Sequence, residues 1–559
     1  MRTKVCIIGS GPTGIYTLKH LSHSQLPLSI TVYEAEADAG KGTPYLPGVN
    51  DPVMLANIPS IEIPKLNETL VDWLSGRPDA YLAEFGIVRV GIDERQFYPR
   101  VVLGDYFYDQ FMAVVAEAEQ RGHVIDIYEN HRVTDIASQQ DDIRVSVDGG
   151  EQFSAVFDHV VMATGHNWPG KTQERPGYFT SAWPASTLKT IKGGRVGILG
   201  TSLSAIDALM TVATSCGSFM FDAAGTLQFE AASDCQDFSA VLMSRKGLLP
   251  EADFYCPLPY LNPAVCTQDA VGTLISQGPS GLLDKVFELF RQEITLADPT
   301  YAADIGLSLL TVDTFAEAYY GRRDDIDPFV WASANLGEAE RNMAAKYTVP
   351  WRYAIMITHE IIATIVPHLD DVDFKRFNTS FKGIFIDEYA TVPHLSIKRL
   401  LALRNAGVLE ILKLGSDYKI TTEKTSHGAC VTKDGQDELF ENFIDATGQA
   451  TLSANELPFP TLVSQGAVRE APTPARVSIF ANESLVPASR TGGIEVDKNY
   501  RAISDGIISS RIYCAAIPFL LHKNPFVQGI TSASEIGEVV ARAVIDDLVD
   551  APAITLLSA

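Results

Sequence analysis

The run Lys4-Val5-Cys6-Ile7-Ile8-Gly9-Ser10-Gly11-Pro12-Thr13-Gly14 decides the fold. Lys4 to Ile8 reads as a short apolar strand. Gly9 to Gly14 places three glycines in GxGxxG spacing, and Ile15-Tyr16-Thr17-Leu18 continues with helical periodicity. The motif carries meaning only between a strand and a helix, and it stands there. Gly9 permits the tight turn, Gly11 lets backbone approach a pyrophosphate, and Gly14 lets the helix pack on the strand. Ser10, Pro12 and Thr13 complete the turn. Amides at the start of the helix then face the phosphates. Leu28-Ser29-Ile30-Thr31-Val32-Tyr33 reads as a second strand and ends in Glu34, 20 residues after Gly14. A carboxylate there accepts hydrogen bonds from the ribose hydroxyls of an adenosine. This order of elements predicts an α/β dinucleotide-binding fold.

A second element repeats the plan. Arg195-Val196-Gly197-Ile198-Leu199 reads as a strand, and Gly200-Thr201-Ser202-Leu203-Ser204-Ala205 leads into the helix start Ile206-Asp207-Ala208-Leu209. Ser202 and Ala205 replace the second and third glycines. They are still small enough for backbone approach, and the hydroxyls of Thr201, Ser202 and Ser204 suit phosphate. The next strand, Phe238 to Met243, follows a hairpin read over Phe219–Leu227 and ends in Ser244-Arg245-Lys246-Gly247. Two bases in place of an acid favour the 2′-phosphate of NADPH over the bare ribose of NADH.

The first element resembles the ADP-binding element of two-dinucleotide flavoproteins, in which the N-terminal motif holds FAD and a second motif holds NAD(P)H. His159 to Gly165 and Asn442 to Gly448 are apolar strands ending in Ala-Thr-Gly. In that superfamily such strands mark the passages between the FAD and NAD(P)H domains. This implies cofactor contacts at Ala163, Thr164, Gly165, Thr447 and Gly448. Arg511 to Ala516 reads as a strand, and Gln528-Gly529-Ile530-Thr531 opens a helix to about Val544. By the same resemblance Gly529 and Ile530 face the flavin pyrimidine edge.

Gly40-Lys41-Gly42-Thr43-Pro44-Tyr45, Leu55-Ala56-Asn57-Ile58-Pro59, Phe97-Tyr98-Pro99-Arg100, Ala163-Thr164-Gly165-His166 and Ser244 to Pro250 resemble a narrower group. These are bacterial FAD/NAD(P)-binding proteins related to class B flavin monooxygenases, including amino-acid N-hydroxylases of the aspartate N-monooxygenase type. The resemblance covers roughly the first 250 residues and, more loosely, the last hundred or so. It implies that Gly42, Thr43, Asn57, Ile58, Arg100 and Val133 belong to the FAD site, with Asn57 as the catalytic candidate near the flavin.

Absences narrow the chemistry. The seven cysteines form no CxxC or CxxxxC, so the dithiol of glutathione- and thioredoxin-reductase relatives is not expected. The stretch Tyr178-Phe179-Thr180-Ser181-Ala182-Trp183-Pro184 lacks the histidine of the Baeyer-Villiger signature. His359-Glu360 starts an HExxH, but residue 363 is Ala, and no other metal spacing or GxSxG appears. The 559 residues carry 44 Lys plus Arg against 69 Asp plus Glu, a net charge of -25. That charge disfavours nucleic acid and anionic membranes as partners. No apolar run approaches the roughly 18 to 20 residues that span a bilayer. The first strand begins at about Arg2, where a secretory signal would lie, so a soluble, cytoplasmic protein is expected.

The expected architecture is α/β: two Rossmann-like dinucleotide-binding domains, for FAD and NADPH, with a mostly helical insertion. Residues 1–170 and 449–559 would form the FAD domain, and 171–448 the NADPH domain with the insertion at about 257–394. Helical spacing is read at Leu282, Val286, Leu289 and Phe290, over Ala354–Val366 and over Leu395–Leu409. Trp351, Arg352 and His359 in the insertion, and His522, Lys523 and Asn524 ahead of the last helix, are the candidate substrate contacts. The expected activity is NADPH-dependent FAD monooxygenation. The resemblance implies that a C4a-hydroperoxyflavin hydroxylates the nitrogen of a small amino acid or amine, with O2 as co-substrate. The alternatives are an NAD(P)H-dependent flavin oxidoreductase that inserts no oxygen, and a non-catalytic flavin-binding or redox-sensing protein. Oligomeric state is not legible.

Overall fold

The computed structural model describes residues 2–140, 142–148, 153–165, 173–448, 452–471, 492–504, 507–523, 525–526 and 529–550. Two six-stranded sheets organise it. In the first, Thr3–Ile8 lies at the centre, paired in parallel with Leu28–Tyr33 on one side and His159–Met162 on the other. Val124–Tyr128 extends one edge, and Ile507–Cys514 joins the other in parallel with His159–Met162. Central parallel strands are covered on both faces and so need continuous apolar runs rather than alternation. Val5, Cys6 and Ile7 are fully buried, as are Val160, Val161 and Met162.

In the second sheet Arg195–Leu199 pairs in parallel with Ser239–Ser244 and with Asn442–Asp445. Leu409–Lys413 adds beyond Ser239–Ser244. The hairpin expected near 219–227 is the antiparallel pair Gly217–Phe221 and Leu227–Ala231. Between Ser239–Ser244 and Leu409–Lys413 the chain runs through a helical unit from Gln268 to Asn405. Its core is aromatic: Phe287, Phe290, Phe315, Phe377, Phe381 and Phe385 pack together. The helix Leu282–Ala297 falls where the periodicity placed it, and the helix read over Ala354–Val366 is Pro350–Ala363. The helix read over Leu395–Leu409 is His394–Asn405 instead. Gly407 takes a φ of 74°, the left-handed conformation that ends helices, and Leu409 opens the next strand.

The chain ends meet in one core. Val5, Tyr16 and Leu18 share it with Tyr513, Ile536 and Val540. The helix Gly529–Asp550 lies on the helix Pro12–Leu21, and Gly537 is the crossing point. A Cβ there would come within 2.8 Å of the Thr17 amide nitrogen and 2.9 Å of Tyr16 Cβ. Gly537→Leu must push the helices apart, and overpacking of this kind costs ~1–3 kcal/mol. A lowered thermal midpoint in calorimetry is the expected outcome; an unchanged midpoint would show that the crossing is looser than described.

Candidate dinucleotide cavity

A cavity of about 730 Å³ opens where the first Gly-rich turn, the Gly42–Tyr45 turn and the C-terminal helix converge. Gly9, Gly11, Pro12 and Thr13 line it, with Gly42, Thr43, Asn57, Arg100, Val133, Ala163, Thr164 and Gly165. From the second half of the chain come Ser204, Thr447 and Gly448, and from the last helix Gly529 and Ile530. Gly9 and Gly529, 520 positions apart in the chain, are thus gathered around one space.

Helix starts dominate its wall. The helices Pro12–Leu21, Arg100–Gln120, Leu203–Cys216 and Gly529–Asp550 all begin on it. The first amides of a helix have no partner within the helix and carry partial positive charge. Four such ends facing one cavity suit a pyrophosphate and an electron-rich ring. The glycines decide how close backbone comes. Gly9 has a φ of 96°, and a Cβ on it would collide with Ala163 O; a Cβ on Gly14 would collide with Gly9 O.

Glu34 lines the cavity and is itself held. Its Oε2 accepts from the Ser10 amide at 3.1 Å and from Ser10 Oγ at 2.6 Å. Its Oε1 accepts from the Glu36 amide at 3.0 Å. Ser10 Oγ accepts in turn from the Gly40 amide at 2.8 Å. Ser10 and Gly14 therefore do not line the cavity; Ser10 orients the acid that does, and Gly14 sets the helix against the turn. Ile58 is buried in the core beside Asn57.

The second nucleotide element reaches the cavity only through Leu203 and Ser204. Gly200, at φ 128°, donates its amide to Met243 O at 2.7 Å. Thr201 Oγ1 lies 3.3 Å from Ser244 Oγ, which accepts from the Gly247 amide. Ser202 is the N-cap residue of the helix. These residues and Arg245 and Lys246 form a separate edge at the end of the strand Ser239–Ser244. Lys246 Nζ sits 2.9 Å over the Tyr320 ring of the helical unit. Loss of water there pushes its pKa down to about 8; Asp387 opposes the shift, and Arg323 and Arg245 add to it.

The substrate candidates do not gather. Arg352 is buried in ion pairs, against Glu251 and 3.6 Å from Glu388 Oε2. It is a core charge of the helical unit and not a cavity residue. Its burial is repaid by two carboxylates, which is what a guanidinium inside a protein requires. His359 bonds Met356 O within its own helix and lies against Phe526. His522 is half-buried beside Gly493, and loss of water pushes its pKa down to about 4. Lys523 Nζ donates to Asp497 O at 2.6 Å. Trp351 stacks on Tyr301 with ring centres 4.2 Å apart. Asn524 and His166 lie outside the described residues. Leu521 lines the cavity while His522 and Lys523 do not. The sequence reading also missed His131, Arg132, Trp183, Phe459 and Phe519, all on the wall. None belongs to a motif; only the pairing of distant segments puts them there.

A family model described as FAD-NAD(P)-binding matches residues 6–167, and one described as a YdhS-like middle domain matches residues 267–389. The uncharacterized protein YdhS of Escherichia coli (strain K12) is 41% identical over 542 residues, which cover 97% of each chain. The chain belongs to the YdhS family. It is a flavoprotein of the FAD/NAD(P)-binding class, and the middle-domain match falls inside the helical unit. Among solved structures, the Kutzneria sp. 744 ornithine N-hydroxylase KtzI with reduced FAD, NADP+ and L-ornithine is 13% identical, covering 98% of this chain and 100% of that one, TM-score 0.48. The reduced ornithine hydroxylase PvdA of Pseudomonas aeruginosa is 12% identical with the same coverage, TM-score 0.49. The bacillithiol disulfide reductase Bdr of Bacillus cereus is 12% identical, again with that coverage, TM-score 0.43. No helix among the described residues is long and apolar enough to cross a membrane.

The residues fit FAD: glycine cradle, helix starts and an oriented ribose acceptor occupy one cavity. Ser10→Ala removes the hydroxyl that fixes Glu34. It should weaken FAD binding about tenfold, the ~1.4 kcal/mol of one buried hydrogen bond. Flavin fluorescence on release measures this, and unchanged affinity would show that Glu34 needs no such anchor.

Proposed function

We propose that the protein is an NADPH-dependent FAD monooxygenase that hydroxylates the nitrogen of a small amine or amino acid. The placement of the cysteines is what supports it. All seven are buried and free, and none lines the cavity. Electrons delivered to the flavin side have no thiol relay through which to leave, so a diffusing acceptor such as O2 must collect them. FAD, when bound, supplies hydride acceptance and oxygen activation.

The chain's own residues bind, orient and exclude water. Residues 1–170 and 449–559 act as the FAD part, and 171–448 as the NADPH part with the helical unit over about 257–394. Phe459 and Phe519 are fully buried in the cavity wall, next to Ile530, and keep that side dry. Asn57 offers a polar side chain on the wall and is the candidate contact for the reacting atoms. Ser244, Arg245 and Lys246 recognise the 2′-phosphate of NADPH. Phe526, three residues before Gly529 of the cavity wall, packs on the helical unit against His359, Phe377, Phe385 and Tyr389. The helical unit therefore stands beside the approach to the flavin and is where substrate selection belongs.

Two measurements test this reading. NADPH should bleach the flavin without oxygen, and one amine among amino acids and diamines should raise NADPH-coupled oxygen uptake and yield a hydroxylamine or nitro product by mass. If every amine leaves the basal rate unchanged while electron-accepting dyes are reduced, the protein is a dehydrogenase instead. The second concerns Lys246, which is protonated below a pH of about 8 and neutral above it. Preference for NADPH over NADH, as a ratio of kcat/KM, should fall roughly tenfold between pH 7 and pH 9 as that cation is lost. A ratio that stays flat would remove Lys246 from phosphate recognition.

A further inference from the structure

One guanidinium joins the two halves of the cavity wall. Arg100 opens the helix Arg100–Gln120, and its Nε donates to Leu55 O at 3.1 Å. Its Nη2 donates to Asp207 Oδ2 at 2.8 Å. Its Cζ lies 5.8 Å from the Trp183 ring. Leu55 is two residues before Asn57, and Asp207 is one turn after Leu203 and Ser204, so three separate parts of the wall hang on this contact. The Arg100 and Asp207 side chains are 13% and 9% exposed. A charge-assisted bond in that setting is short, directional and little screened.

We propose that Asp207 is a positioning residue for the nicotinamide dinucleotide: through Arg100 it holds the first turn of the helix Leu203–Cys216 in place against the flavin side of the cavity. The proposal rests on the NADPH reading above. Asp207 is not on the wall itself, so it acts through the helix that carries Leu203 and Ser204 and through the cation that carries Leu55.

The surrounding charges agree. Arg399, from the helix His394–Asn405, is the second cation facing Asp207, and its Nη1 donates to Val53 O at 2.9 Å. Asp51 faces Arg399 and pairs with Lys189 at 2.6 Å. The segment 51–55 of the first half is thereby tied to three parts of the second. Burial nevertheless pushes the Asp207 carboxyl up to about 6, against the pull of Arg100 and Arg399. The folded protein holds this proton more firmly than the unfolded chain, so ionising Asp207 lowers stability as pH rises from about 4 to 6. A buried charge with that sign contributes geometry and not folding energy.

Protonation at acid pH makes the wild type resemble Asp207→Asn. NADP+ affinity of the FAD-loaded protein, measured by calorimetric titration, should be about tenfold weaker in D207N at pH 7.5. The gap should close as pH falls through about 6, and Asp207→Glu should recover most of the lost affinity at pH 7.5. Comparing variants at each pH cancels the titration of the dinucleotide's own phosphate. Equal affinity at pH 7.5, or a gap that persists unchanged to pH 5, overturns the proposal. So does D207E that matches wild-type thermal stability yet binds as weakly as D207N. A wild-type protein that binds neither NADP+ nor NAD+ defeats the nicotinamide reading itself, a result distinct from equal binding by all three.

Discussion

Close backbone approach around Gly9 is the constraint on which the rest depends. Its φ is 96°, and only hydrogen fits between it and Ala163 O. Gly14 is pressed against Gly9 O in the same way, and a Cβ on Gly42 would lie 2.9 Å from Gly11 Cα. Three chain segments thus meet at van der Waals distance with no side chain between them. That contact sets the strand His159–Met162 beside Thr3–Ile8, and it brings the amides of Pro12–Leu21 to the cavity edge. The turn 40–43 closes the other side. Ser10 then spends its hydroxyl on Glu34 and Gly40, which locks that carboxylate to the same turn.

The second half of the chain docks on this frame through charge. Arg100, Asp207, Arg399, Asp51 and Lys189 form a buried or half-buried chain of ions across the boundary. Ions taken out of water are worth little as folding energy, but they tolerate few arrangements. Such a boundary holds two nucleotide elements in one orientation. The helical unit uses the same device where it meets the segment after Ser239–Ser244: its Arg323, Asp387, Arg352 and Glu388 share one buried network with Glu251. Burial pushes Glu388 up to about 7 despite Arg352.

Much of the α/β frame was legible from local patterns. Thr3–Ile8, Leu28–Tyr33, Arg195–Leu199 and Asn442–Asp445 stand where apolar runs ended in Gly-rich turns or an acid. The hairpin at 217–231 and the helix from Gly529 followed from the same kind of evidence. Boundaries failed where a single residue decides them, as at Gly407. For the cavity, most residues named from motifs do line it. Ser10 and Gly14 belong to its supports, Ile58 lies in the core, and Gly200, Thr201, Ser202, Arg245 and Lys246 stand on the separate edge. Residues named for their charge or ring alone, such as Arg352, His359 and Trp351, went elsewhere.

Read alone, the chain specifies two strand–turn–helix units and the acid that follows the first, because glycine spacing and apolar runs act over a few residues. Its cysteine spacing also offers no CxxC or CxxxxC dithiol. Folding decides which segments become neighbours. It brings Gly529 and Ile530 to the wall with Gly9 and Gly11, puts Lys246 over Tyr320, and pairs Arg100 with Asp207. A charged side chain has no fixed role until its surroundings remove its water and supply a partner. Arg100 and Asp207 are 107 residues apart in the chain, beyond the reach of any local pattern.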